Sequence, residues 1–173
     1  EAVALNAEFY QAYNSRGNAR FYLQKYSEAE QDYRVSLKLK PDYARAYYNL
    51  ANLYEKTGRK DQVLELFSRA LALNSENPWF YHNRGNFLLK EGQAEEALKD
   101  FEAALALSKN DAKSLYNRGI ALLALNRRSE AKKDFEAVLS LPVLSDIEDH
   151  ESLERFEKAK KYLEQCGQVA SIP

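Results

Sequence analysis

Four columns of residues recur every 34 positions along this chain, and that period excludes most folds at once. Gly17, Ala51, Gly85 and Gly119 form the first column. Ala29, Val63, Ala97 and Ala131 form the second, and Tyr33, Phe67, Phe101 and Phe135 the third. Leu37, Leu71, Leu105 and Leu139 form the fourth, followed two residues on by Leu39, Leu73, Leu107 and Leu141. No insertion or deletion disturbs the register over four copies. A repeat of this length is one supersecondary unit that cannot bury its apolar face alone, so copies stack into a solenoid. A solenoid offers a long surface rather than an enclosed pocket, which points to binding before catalysis.

Each copy reads as two helices. In the second, Tyr47, Leu50, Ala51 and Tyr54 share one helical face, Gly58 breaks the pattern, and Val63, Leu64, Phe67 and Leu71 share another. The third repeats this with Tyr81, Gly85 and Leu88, a break at Gly92, then Ala97, Leu98, Phe101 and Leu105. Gln24 and Asn126 hold the place of the turn glycine in the outer copies. Asn77 before Pro78 reads as an N-cap followed by proline at the first helical position, with Asp42 and Asn110 at matching places. The small residues let paired helices approach closely, and the aromatic column fills the core.

A formal net charge of -1 argues against nucleic acid as the main partner, because phosphate binding draws on a basic excess. No apolar run approaches the roughly 18 residues of a spanning helix, so membrane insertion is not expected. The single cysteine, Cys166, excludes an internal disulfide and any CxxC motif. The absence of methionine reads as a processed protein or an excised fragment.

Arg16, Arg84 and Arg118 precede the small residue of the first helix, and Asp32, Asp100 and Asp134 follow each by sixteen. In the second copy both partners are leucine, Leu50 and Leu66. Such joint exchange is what contact between the two helices of a repeat produces, since an unpaired buried charge is costly. Three internal ion pairs and one apolar contact are expected.

A second stripe remains on each first helix at i, i+3, i+4, i+7. It holds Gln11, Asn14, Ser15, Asn18 and Tyr22, then Arg45, Tyr48, Asn49, Asn52 and Lys56. It continues as Trp79, His82, Asn83, Asn86 and Lys90, then Lys113, Tyr116, Asn117, Ile120 and Ala124. Asparagine is a mediocre helix former, so local propensity does not explain these positions. A carboxamide can pair with both groups of a peptide bond. One reading is therefore a ladder that holds an extended peptide by its backbone; the other is that the amides bond to neighbouring helices. A net 0.5–1.5 kcal/mol per bond, roughly, falls short of the roughly 8 kcal/mol of a micromolar complex. Anchors are needed, and Trp79 beside His82 is the candidate, unless it packs on the preceding loop.

These residues resemble the tetratricopeptide repeat family over roughly residues 10–143. The resemblance is carried by the bulky Tyr13, Tyr47 or Tyr81, then the two small columns, the aromatic and Leu-x-Leu, with Pro41 closing the first repeat. Arg20, where an apolar residue is usual, and Val63 depart from the pattern. The family implies an all-α, right-handed α-solenoid of four helix-turn-helix repeats, 10–43, 44–77, 78–111 and 112–143. It also implies that the stripe lines a concave groove. Asn18, Arg45, Tyr48, Asn49, Asn52, Trp79, His82, Asn83, Asn86, Lys113, Tyr116 and Asn117 are then the candidate peptide-binding residues. Some members grip a chaperone's C-terminal carboxylate with a clamp of lysines, asparagines and an arginine. Here Asn14, Trp79 and Asn83 in one register, or Tyr48 and Asn117 in the other, stand where that clamp needs different residues, so chaperone-tail binding is not expected.

Residues 1–9 are expected to extend the first helix. Pro142 ends the last repeat, and Ser145-Asp146-Ile147-Glu148 reads as a capping box. A C-terminal capping helix over 144–166 would turn Leu153, Phe156, Ala159 and Leu163 inward and Glu151, Glu154, Lys158 and Lys161 to water, leaving 167–173 as a tail. The two histidines, His82 and His150, belong to no metal motif, and no nucleophile–base pair or phosphate loop appears, so neither an enzyme nor a metal or cofactor is expected. The expected function is a non-catalytic scaffold that binds a protein or peptide segment. The alternatives are a structural spacer, a self-association module, or a regulatory segment of a larger enzyme or assembly.

Overall fold

A computed structural model describes residues 2–141 and 150–167, and among them every regular element is helical. The helices are α1 (Ala2–Tyr22), α2 (Tyr26–Leu39), α3 (Ala44–Lys56), α4 (Val63–Leu73), α5 (Pro78–Lys90), α6 (Ala94–Leu107), α7 (Ala112–Ala124), α8 (Arg128–Ser140) and α9 (His150–Gly167), with a 3-10 turn at Lys60–Gln62 leading into α4. The chain forms two compact units that divide between Phe80 and Tyr81. In the first, α1 packs on α2, α2 on α3 and α3 on α4. In the second, α6 packs on α7, α7 on α8 and α8 on α9. The fold is an all-α solenoid of helix-turn-helix repeats, as the period requires.

The interhelical turns have one design. Gln24, Gly58, Gly92 and Asn126 all adopt positive φ, between 60° and 79°. In each turn the next N–H reaches back five residues: Lys25 to Arg20, Arg59 to Tyr54, Gln93 to Leu88 and Arg127 to Leu122. This is the Schellman closure, which satisfies carbonyls the helix end would leave open.

The aromatic column is the core. Tyr33 is 1% exposed and Phe67, Phe101 and Phe135 are 0% exposed, each burial stabilising the fold by roughly 1.5–3 kcal/mol. The glycine column exists because of it. A Cβ on Gly17 would lie 2.6 Å from the Tyr33 ring, and one on Gly119 would lie 2.7 Å from that of Phe135. The trailing leucines Leu39, Leu73 and Leu107 are instead exposed.

The expected ion pairs are present, each bidentate. Arg16, Arg84 and Arg118 donate through Nε and Nη2 to Asp32, Asp100 and Asp134 at 2.6–2.9 Å. Burial alone would raise the Asp32 carboxyl, but bonds from Arg16 and the charges of Arg16 and Arg20 outweigh it and hold the pKa below its ordinary value. Leu50 is buried, and it lines one depression with Leu66. Arg20, the apparent departure, has its own reason: its Nη1 lies 2.7 Å from Asp32 Oδ2.

Helix starts differ in detail from the sequence reading. Asn77 Oδ1 accepts from the Trp79 N–H at 3.0 Å, as an N-cap should. The cap of α7 is Asp111, one residue beyond Asn110, accepting from Ser114 N–H at 2.7 Å. Tyr43 precedes α3 with no side-chain cap bond, so Asp42 does not serve there. Helix α1 begins at Ala2. In α9, Ala159 is buried while Glu154, Lys158 and Lys161 are exposed. Pro142, the capping box at 145–148, and the side chains of Glu151, Leu153 and Phe156 fall outside the described residues and side chains.

Candidate functional site

The second stripe divides into two clefts, one in each unit. In the first unit Asn18 from α1 and Tyr48, Asn49 and Asn52 from α3 line a cleft of about 100 Å3 with Phe21, Tyr22 and Tyr33. In the second, His82 and Asn86 from α5 and Lys113, Tyr116 and Asn117 from α7 line one of about 300 Å3 with Glu154, Arg155 and Lys158 from α9. Nine of the twelve candidate residues are thus gathered in the two clefts. Arg45 is exposed on α3, Trp79 is half exposed at the start of α5, and Asn83 is half-buried there; none of the three lines either cleft.

The amides are not a row of unengaged groups: several bond to side chains of neighbouring helices. Asn49 is buried and its Nδ2 donates to Asn14 Oδ1 at 2.8 Å. Tyr33 O–H donates to Asn18 Oδ1 at 2.8 Å. Asn117 Nδ2 donates to Asn86 Oδ1 at 2.6 Å, and Asn86 Nδ2 faces His82 Nε2 at 3.0 Å. His82, expected as an accessible neighbour of Trp79, is 5% exposed, with Nδ1 2.8 Å from Ser114 Oγ. The physical reason is common to all: a half-buried polar side chain between helices must find a partner.

One column explains much of this. Asn14, Tyr48, His82 and Tyr116 stand 34 apart, and each reaches toward the helix two along in the chain. Asn14 meets Asn49, Tyr48 stacks on Phe80 at 4.8 Å, His82 meets Ser114, and Tyr116 lies 6.2 Å from Tyr162 on α9. Phe80 and Ser114 are themselves 34 apart, so the apolar partner serves the tyrosine and the hydroxyl serves the imidazole. That matched exchange was readable in the sequence. Tyr162, which also stacks on Phe135 at 5.4 Å, had no repeat to announce it.

The clefts therefore combine packed aromatic walls with amide edges. Burial raises the Tyr48 phenol and pushes that of Tyr116 up to about 12, so both stay neutral hydrogen-bonding groups. Lys113, Arg155 and Lys158 against Glu154 give the second cleft a cationic rim. Among the described residues no group of three His, Cys, Asp or Glu could hold a metal ion, and no helix is long and apolar enough to cross a membrane.

Comparison with known proteins agrees with this architecture. Models described as TPR repeat or tetratricopeptide repeat match residues 17–58 and 85–126, 44–77, 66–99 and 112–142. RNA polymerase II-associated protein 3 of Homo sapiens is 42% identical over 60 residues, which is 35% of this chain and 9% of that protein. The match thus spans about a tenth of that relative's length. The structure resembles YrrB, described as a TPR protein with an unusual peptide-binding site, with TM-score 0.70 and 24% identity, covering 94% of this chain and 82% of that one. It also resembles the first TPR of Spaghetti (RPAP3) bound to an HSP90 peptide, with TM-score 0.58 and 27% identity, covering 70% and 93%.

Proposed function

The chain belongs to the tetratricopeptide repeat family, and on that premise we propose that it is a non-catalytic interaction scaffold whose first helices hold an extended peptide or partner segment. One observation carries this reading. In both units the cleft is built by the same stripe of the first helices, with carboxamides beside a tyrosine: Asn18, Asn52 and Tyr48, then Asn86, Asn117 and Tyr116. The amides offer hydrogen bonds to a peptide backbone, and the tyrosines offer flat apolar area for side chains. Engagement with Tyr33, His82 and Asn86 pre-orients Asn18, Asn86 and Asn117 in turn, which lowers the cost of ordering them on binding. YrrB and the Spaghetti repeat, both described with peptides, support the same use of the fold.

A displayed library of random peptides, selected on the purified chain, tests the proposal. Selected peptides should shift the side-chain amide resonances of Asn52 and Asn117 in NMR spectra. Asn52→Ala and Asn117→Ala should weaken their binding with little change in melting temperature. Peptides that perturb only the second helices, or bind both variants unchanged, would remove the clefts from the account. Sedimentation over a concentration range addresses the self-association alternative, which a tight dimer would favour.

A further inference from the structure

We infer that His82 is a positioning residue: it decides which end of the Asn117 carboxamide faces the cleft of the second unit, and its protonation reverses that end. The consequence for ligands rests on the peptide-binding reading above; the relay itself does not.

His82 is held on both ring nitrogens, by Ser114 Oγ at Nδ1 and Asn86 Nδ2 at Nε2. Asn86 Oδ1 in turn accepts from Asn117 Nδ2. A carboxamide donates at one end and accepts at the other, so each link dictates the next. An NH2 group facing Nε2 requires a lone pair there, which places the neutral ring's proton on Nδ1, toward Ser114 Oγ. Asp111 Oδ2, 3.9 Å from Nδ1, favours the proton on that side. Asn117 then turns Nδ2 inward and leaves Oδ1 as the end that meets a peptide N–H.

A proton taken from solvent by Nε2 puts two donors face to face. Asn86 must rotate to offer Oδ1, its Nδ2 then faces Asn117, and Asn117 must rotate as well. The cleft exchanges an acceptor for a donor. Among the described residues, the other charged groups that line the cleft with the ring are Lys113 from α7 and Glu154, Arg155 and Lys158 from α9; from α6 the ring meets the apolar Phe101, 5.9 Å away. The same column carries Tyr48 and Tyr116 in the neighbouring copies, and neither phenol titrates near neutrality, so the device belongs to the third repeat.

Nitrogen NMR of the free, full chain tests this without any ligand. Near pH 8, Nδ1 should be the protonated ring nitrogen and Nε2 the bare one. On acidification the side-chain amide signals of Asn86 and Asn117 should move with the His82 midpoint. In Asn86→Leu the Asn117 signals should stop following it. Asn86→Asp, an acceptor at both ends, should raise the His82 midpoint and keeps the test decisive if the leucine variant does not fold. A proton on Nε2 at high pH overturns the inference. So does a ring that stays neutral down to about pH 5, or an Asn117 signal that ignores His82 in the native chain or follows it equally in Asn86→Leu. Failure here leaves the peptide reading standing, and failure of peptide selection leaves the relay standing.

Discussion

Asn49 Nδ2 donates a 2.8 Å hydrogen bond to Asn14 Oδ1, and both side chains are buried between α1 and α3. A residue on the candidate binding stripe is thus also a structural tie. Asn49→Ala should cost about 1–3 kcal/mol, because it strands the Asn14 carboxamide in the interior. Replacing both asparagines by leucine should recover part of that loss. Urea denaturation of the three variants measures it. A single variant as stable as the native chain would mean that the bond contributes nothing.

Arg84 and Asp100 form the pair best suited to a charge-removal test, since their side chains are only 24% and 6% exposed. Arg84→Leu alone should destabilise by roughly 3 kcal/mol, because it leaves a buried carboxylate unpaired. Arg84→Leu with Asp100→Leu reproduces the pairing of Leu50 with Leu66 and should restore most of the stability. A double-mutant cycle that shows simple additivity would contradict the pairing.

Acid should expose another tie in the first unit. Glu30 accepts from Arg59 and Arg34 as well as from the Tyr54 hydroxyl. The bond from Arg59 leads in lowering its pKa from 4.5 to about 2, against the opposing effect of burial. A depressed carboxyl stabilises the fold above its unfolded pKa, and that stability is lost as pH falls through the folded value. The melting-temperature gap between the native chain and Glu30→Gln should therefore hold steady above about pH 5 and close between 4.5 and about 2. A gap unchanged down to the lower limit would show that Glu30 is not held this way.

The period made the fold legible because each column has one packing job repeated four times. Gly119 against Phe135 and Arg118 against Asp134 could be inferred from residue type and spacing alone. The stripe was harder to read, because an asparagine that faces a ligand and one that faces a neighbouring helix look alike in sequence. The column of Asn14, Tyr48, His82 and Tyr116 looked like binding surface, yet its members meet the helix two along in the chain. Its matched partners Phe80 and Ser114 were the available signal. Arg155 and Tyr162 lie in a helix that occurs once, so no second copy marked them. Asp111 displaced Asn110 as a cap because two adjacent polar residues compete and only geometry selects one.

The measurement closest to the central claim places a photo-crosslinking side chain at Lys56 or Ala124 on first helices, and at the exposed Lys99 or Lys132 on second helices. With a library-selected peptide bound, crosslinks should form from the first-helix positions and stay absent from the second-helix ones. Crosslinks confined to Lys99 and Lys132 would contradict the assignment of the binding surface to the first helices.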